Sequence, residues 1–306
     1  MDNFCSTNDV AVFHLDFSKS LPCPKVSTQD WHFRSKLHLR CLGVDVAKTR
    51  TFHCFLWDEM NGGKGPNEII SAFQSLLVQQ NITSRHAILS SDNHPGECLN
   101  NKFMWYLQSL NDQGTFQRID YKTLLEGHSY SFADRHFGLI EKNSRKHDVI
   151  ELPTDWLNVI EQSSFAGHYK AKLLTIDDIY DYSSYLKNEF TYRYKDVNGI
   201  KFSFDEAHYF NFGIGERLID GTVKTFSHPE TAWVRKTLDP KETPIVVSFR
   251  KIKQMTRITD CHLHTLSREL KPLPGKVFQD VNELAIKYLS PRAQEWYQAL
   301  PKVTES

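Results

Sequence analysis

Five carboxylates and one histidine are spaced so that a fold could gather them. They are Asp16 in "FHLDF", Glu68 in "GKGPNEII", Asp92 ending "RHAILSSDN", His128 in "EGHSYS", and Asp134 and Glu141 in "ADRHFGLIEK". Like charges converge only where a cation or a shared proton offsets their repulsion. Acid-only sets suit hard ions such as Mg²⁺ or Mn²⁺, which take carboxylates, waters and substrate phosphates. Each residue also has a plainer explanation. Asp92 could cap the turn after its strand. Glu68 and Asp134 could favour helix N-termini through the macrodipole. Glu141 could pair with Arg145 at i+4, and His128 could be a satisfied turn histidine. Asp16 resists such an explanation best, because an acid inside an apolar strand is costly unless paired or metal-bound.

The elements around these residues alternate. "VAVFHLDF" (10–17) reads as a strand ended by the prolines of "SKSLPCPK", and 36–47 and 50–59 read as two more, joined tightly. "GGKGPNEIISAFQSLLVQQN" is a Gly-rich turn opening a helix at Pro66, with Ile69, Ile70, Phe73, Leu76 and Leu77 on its apolar face. A strand over 85–92, a helix over 99–111 and a strand over 115–126 follow, then helices over 129–148 and 152–163. Asp134 and Glu141, seven residues apart, share one helix face. "KAKLLT" reads as a strand, and Asp177 and Asp178 as the start of a helix. Residues 199–250 read as a smaller β-rich region, and the tail as two short helices broken at Pro291. Hairpin-linked strands followed by alternating units predict a mixed α/β sheet with helices on its faces, where sites gather at the carboxyl ends of strands.

Composition narrows the classes. The chain has 306 residues, 40% of them hydrophobic, and 37 basic residues balance 37 acidic ones. With no global field, any polyanion site is a local patch. Lys142, Arg145 and Lys146 form one such patch; Arg250, Lys251 and Lys253, with Arg257, form another. A solvated face is the simpler account of both. Six cysteines without a C-x-x-C pair, after an opening "MDNFCSTNDVAVF" that is no signal peptide, point to free thiols in the nucleus or cytoplasm and not to secretion. No apolar run approaches the roughly 20 residues of a membrane span. "CHLH" at 261–264 lacks the second cluster that a zinc site needs, and no G-x-S-x-G elbow marks a serine hydrolase.

The ordered set of motifs "HLDFSKSLPCPKV", "WDEMNGGKGPNEI", "SDNHPGECLNNKF", "GHSYSFADRHFGLIEK" and "PTDWLNVI" resembles a large family of uncharacterised, transposon-associated eukaryotic domains with a ribonuclease H-like fold of the DDE/D transposase type. The resemblance runs from about residue 10 through "TPIVVSFRK" into "LSPRAQEWYQAL". It departs at "HPGECLNN", which keeps Gly96 and Asn100 or Asn101 but not a Cys-Gly-Gly-Gln run, and at "DRHFG", where His136 stands in place of a second Asp. The resemblance implies a catalytic core over 1–165, with 166–306 continuing it and adding the smaller β-rich region and the helical tail. It implies that the first and fourth strands lie side by side, bringing Asp16 and Asp92 together around two Mg²⁺ or Mn²⁺ ions. Glu68 and Asp134, or Glu141, would complete the shells, with His128 assisting proton transfer. The expected reaction is in-line phosphodiester displacement on nucleic acid, DNA before RNA, by a nuclease or transposase-like enzyme, with no membrane partner and with self-association compatible. The rival is a catalytically silent, domesticated domain that binds nucleic acid or protein.

Overall fold

The computed structural model describes residues 9–92, 98–123, 132–164, 166–251 and 263–303. The chain opens with β1 (Val10–Phe17), β2 (Leu21–Cys23), β3 (Lys25–Val26) and the short helix α1 (Gln29–Phe33). Long strands β4 (Leu37–Val46) and β5 (Thr51–Trp57) follow, then α2 (Pro66–Gln80), β6 (His86–Ser91), α3 (Asn101–Asp112) and β7 (Arg118–Thr123). After them come α4 (Phe132–Ser144), β8 (Val149–Ile150), α5 (Pro153–Glu161), β9 (Tyr169–Leu173) and α6 (Tyr182–Leu186). The chain closes with β10 (Tyr209–Ile219), β11 (Thr222–Arg235), β12 (Ile245–Val247), α7 (Gly275–Tyr288) and α8 (Pro291–Gln298).

The helices start where local chemistry allows. Pro66 opens α2, where its missing N–H costs no intrahelical bond, and Asn81 ends it in a left-handed turn at φ 45°. Asn100 caps α3 by accepting the Phe103 N–H at 2.9 Å. The helix expected from Asp177 shrinks to the single turn of α6. Asp178 instead accepts Thr175 N–H at 3.0 Å and pairs with Lys172 at 2.8 Å, leaving Asp181 to cap α6 through Ser184 N–H at 3.1 Å. Short β2, β3, β8 and α1 carry too few residues to show a period, and sequence reading passes over them.

The fold is α/β: a large mixed sheet flanked by helices, a small separate sheet and C-terminal helices. The large sheet runs β12-β11-β10-β7-β6-β1-β4-β5-β9, with β2 also pairing β4; β3 and β8 form the small one. β1, β4 and β5 are antiparallel neighbours, whereas β6 and β7 join β1 in parallel. The β-rich stretch expected over 199–250 does not stand apart, because β10 pairs antiparallel with β7 and so extends the same sheet. Alternation along β5 divides the core: Phe55 and Trp57 join the cluster holding α2 and α3, while Phe52, Cys54 and Leu56 join the one holding α4, α5, α7 and α8. Among the described residues no helix is long and apolar enough to cross a membrane.

Candidate functional site

β1 and β6 lie side by side in parallel, in register from Val10 opposite His86 to Leu15 opposite Ser91. The next residue on each strand is an acid, Asp16 and Asp92. Ala11, Phe13 and Leu15 point into the core beneath α2 and α3, so His14 and Asp16 face the other side, where α4 packs on β1 and β4. A hydrogen bond between His14 Nδ1 and Ser90 Oγ shows that β6 presents Ser90, two residues before Asp92, to that same face. Both acids are half-buried, and Asp92 Oδ1 is shielded from solvent. Two carboxylates at adjacent strand ends make an acid pair at the carboxyl edge of the sheet.

Glu68 has a different task. Its side chain is buried, Oε1 accepts Gly63 N–H at 2.5 Å and Oε2 accepts Gly65 N–H at 3.1 Å. Trp57 Nε1 donates to Gly63 O at 2.7 Å, and a Cβ at Gly62 would lie 2.9 Å from Glu68 Cγ, so the Gly-rich turn wraps the carboxylate closely. The helix that carries it covers the opposite face from Asp16. The expectation of Glu68 as a metal ligand is therefore corrected: it organises the turn and opens α2. Asp134 and Glu141 are exposed on α4, where Arg145 Nη2 donates to Glu141 Oε1 at 2.5 Å, the i+4 pairing considered above. His128 lies outside the described residues.

Among the described residues no group of three or more histidines, cysteines, aspartates or glutamates is arranged to hold a metal ion. The four-carboxylate, two-ion shell is not assembled there. Asp16 and Asp92, at neighbouring strand ends, are the donor type that a hard cation takes.

The basic patches separate as well. Lys142, Arg145 and Lys146 lie exposed at the end of α4. Arg250 also serves the fold: its Nη2 and Nε donate to Asp112 Oδ2 at 2.7 and 3.2 Å, and its guanidinium lies 5.8 Å from the Phe190 ring centre. It clasps α3 to the segment after β12. Lys251 is exposed and donates to Lys187 O; Lys253, Arg257, Cys261 and His262 lie outside the described residues.

Sequence reasoning missed two polar constellations on this face. Asp45 is the cross-strand partner of His14, and His136 Nε2 lies 3.6 Å from Asp45 Oδ1. His136 also hydrogen-bonds the Tyr169 hydroxyl through Nδ1 at 2.8 Å and stacks on Phe52 at 4.3 Å. Burial lowers the His14 pKa against the pull of Asp45, and burial pushes the Tyr169 phenol up to about 12. Further along, Asp120 on β7 is buried. Its Oδ1 accepts from Tyr209 at 2.5 Å and Asn211 at 2.7 Å, and its Oδ2 meets His86 Nε2 at 2.6 Å and Arg118 Nε at 2.8 Å. Burial alone would raise this carboxyl, but His86, Arg118 and Tyr209 hold it well below the usual carboxylate range. The signal that singled out Asp16, an acid interrupting an apolar strand, is equally present in "LGVDVA" and "QRIDYK".

A family model described as Domain of unknown function (DUF7869) matches residues 29–212, more than half of the chain. Glu68, Asp92, Asp134 and His136 fall within the matched span, and Asp16 precedes it. No curated protein and no solved structure matches the chain.

Proposed function

We propose that this chain, which belongs to the DUF7869 family, carries out metal-dependent phosphodiester chemistry on nucleic acid, with Asp16 and Asp92 as the central acids. The supporting observation is that the first and fourth long strands of the β1, β4, β5, β6 series lie in parallel register, so that both acids follow the last paired residues, Leu15 and Ser91. That adjacency is what the ribonuclease H-like reading requires of them. In this proposal the pair binds one Mg²⁺ or Mn²⁺, which supplies Lewis acidity toward a phosphoryl oxygen and lowers the pKa of an attached water. The chain's own residues set the geometry. β1 and β6 hold the two carboxylates at one strand edge, and His14, bonded to Ser90 and beside Asp45, keeps the preceding row ordered.

The test is incubation of the protein with single- and double-stranded DNA and RNA in Mg²⁺, Mn²⁺ or chelator. Metal-dependent nicking that disappears in Asp92→Asn supports the proposal; equal nicking by wild type and variant overturns it. A second reading, a non-catalytic binding module derived from such an enzyme, draws on the commitment of both Glu68 oxygens to the Gly63 and Gly65 amides. Nucleic-acid binding with no cleavage under any metal condition favours that module.

A further inference from the structure

A cleft of about 560 Å³ begins at Phe17, the residue after Asp16. One wall continues through Ser18 and Lys19; the other is the face of α4 that carries Asp134, Phe137 and Glu141. Part-buried Leu21, Trp31 and Phe137 are its apolar lining, over the buried Ile140 and Trp156. The size falls within the range of about 300–1,000 Å³ typical of small-molecule sites and accommodates a single nucleoside.

The aromatic groups are held in place. Trp156 Nε1 donates to Pro22 O at 3.1 Å and its ring is buried beneath the cleft, whereas Trp31 Nε1 donates to Pro24 O at 2.7 Å and its part-buried ring offers apolar area. Lys36 lies 4.1 Å from the Trp31 ring centre and further fixes that ring. The polar groups suit a base and its phosphate. The Asp134 carboxylate is an acceptor of the kind that reads ring and exocyclic N–H groups and Lys19 brings positive charge to the same cleft, while Glu141 and Arg145 on its wall pair with each other.

From this geometry we propose that the cleft takes one unpaired nucleobase of the strand whose phosphate a cation on Asp16 and Asp92 would hold. The inference rests on the phosphodiester reading above and narrows its substrate to single-stranded or locally opened nucleic acid. A paired base is stacked within its duplex and would first have to be turned out, whereas an unpaired base can enter directly. Aromatic surface beside positive charge binds single strands without needing a particular sequence.

The experiment measures binding in chelator, so that it does not depend on metal or cleavage. Fluorescently labelled 12-nucleotide single strands, the same strands with the central bases removed, and the matching duplex are titrated into wild type and Gly138→Phe. Gly138 lines the cleft, and a Cβ there meets no heavy atom within 4 Å, so a phenyl group can occupy the space without collision at its base. Wild type is expected to bind the base-bearing single strand about ten-fold more tightly than the abasic strand or the duplex. Gly138→Phe, with its melting temperature checked against wild type, should bind all three alike. Equal wild-type affinity for base-bearing and abasic single strands overturns the cleft assignment while leaving the phosphodiester reading intact. Base-dependent binding without metal-dependent cleavage has the reverse meaning: the cleft stands and the catalytic reading falls. No binding of any strand in chelator overturns the cleft assignment, and the nicking assay in metal then judges the phosphodiester reading by itself.

Discussion

At the scale of single residues, an acid within a strand has more than one use, and its neighbours decide which. Asp16 and Asp92 end adjacent strands on one face, whereas Asp120 is surrounded by donors and Glu68 is wrapped by backbone amides. Two nearby carboxylates repel until a cation binds, and an ion that binds only the folded chain stabilises it by mass action. Millimolar Mg²⁺ or Mn²⁺ should therefore raise the wild-type melting temperature, and Asp16→Asn or Asp92→Asn should remove that rise. If both variants respond as wild type does, the acid pair is not the metal site. Glu68→Gln should keep the metal response but lose about 1–3 kcal/mol of stability in denaturant titration, because one amide of the Gly-rich turn loses its charged acceptor.

At the scale of elements, α4 approaches the sheet closely because β4 carries Gly43 opposite Asp16. A Cβ at Gly43 would collide with the rings of Phe52 and Phe137, so Gly43→Ala should push α4 outward and destabilise by about 1–3 kcal/mol. A denaturation midpoint unchanged in Gly43→Ala would show that the helix can shift freely. The β7–β10–β11 strands make a separate, pH-dependent claim. Gly213, at φ 85°, carries the register shift of β10, and beyond it His228 Nε2 bonds Asn211 Oδ1 at 2.6 Å beside Asp120. Burial lowers the His228 pKa to about 4, and burial with Lys170 does the same to His53. Between pH 6.5 and about 4 the unfolded chain takes up protons that these folded histidines refuse, so stability falls as pH falls through that window. The depressed Asp120 carboxyl adds stability present above about pH 3.9 and lost on further acidification. Urea midpoints measured from pH 7 to 4 should show this slope, reduced in His228→Gln; an identical slope in the variant would remove His228 from the account.

At the scale of the whole molecule, one sheet separates two cores, and both depend on it. Phe13 and Leu56 sit on opposite faces, each fully buried. Because β1 and β5 both flank β4, loss of packing on either face loosens the same strands. Phe13→Ala should destabilise by about 3–5 kcal/mol and Leu56→Ala by about 2–5 kcal/mol, both by moving one main calorimetric transition. Two transitions that respond separately to the two substitutions would mean that the faces unfold independently.

The alternation of apolar residues, the prolines and glycines at element ends and the capping residues are local, and they determined most of the long elements. β1, β4, β5, α2, β6 and α3 lie within a few residues of where period and punctuation place them. Two- and three-residue strands have no period to show, and α6 shortened because Asp178 found a tertiary partner in Lys172. The presence of an acid in "FHLDF" and in "SSDN" was equally legible, as was an acid in "LGVDVA" and in "QRIDYK". Their different surroundings were not. Whether a carboxylate meets another carboxylate, a ring of donors or a loop's amides depends on which strands become neighbours, and that is set by burial of side chains far apart in the chain. Asp16 and Asp92 are 76 positions apart and adjacent in the sheet, while Glu68, between them in sequence, is carried by a helix on the other face. Residue types and element order came from the sequence alone; only the folded sheet decided which of the acids share a face.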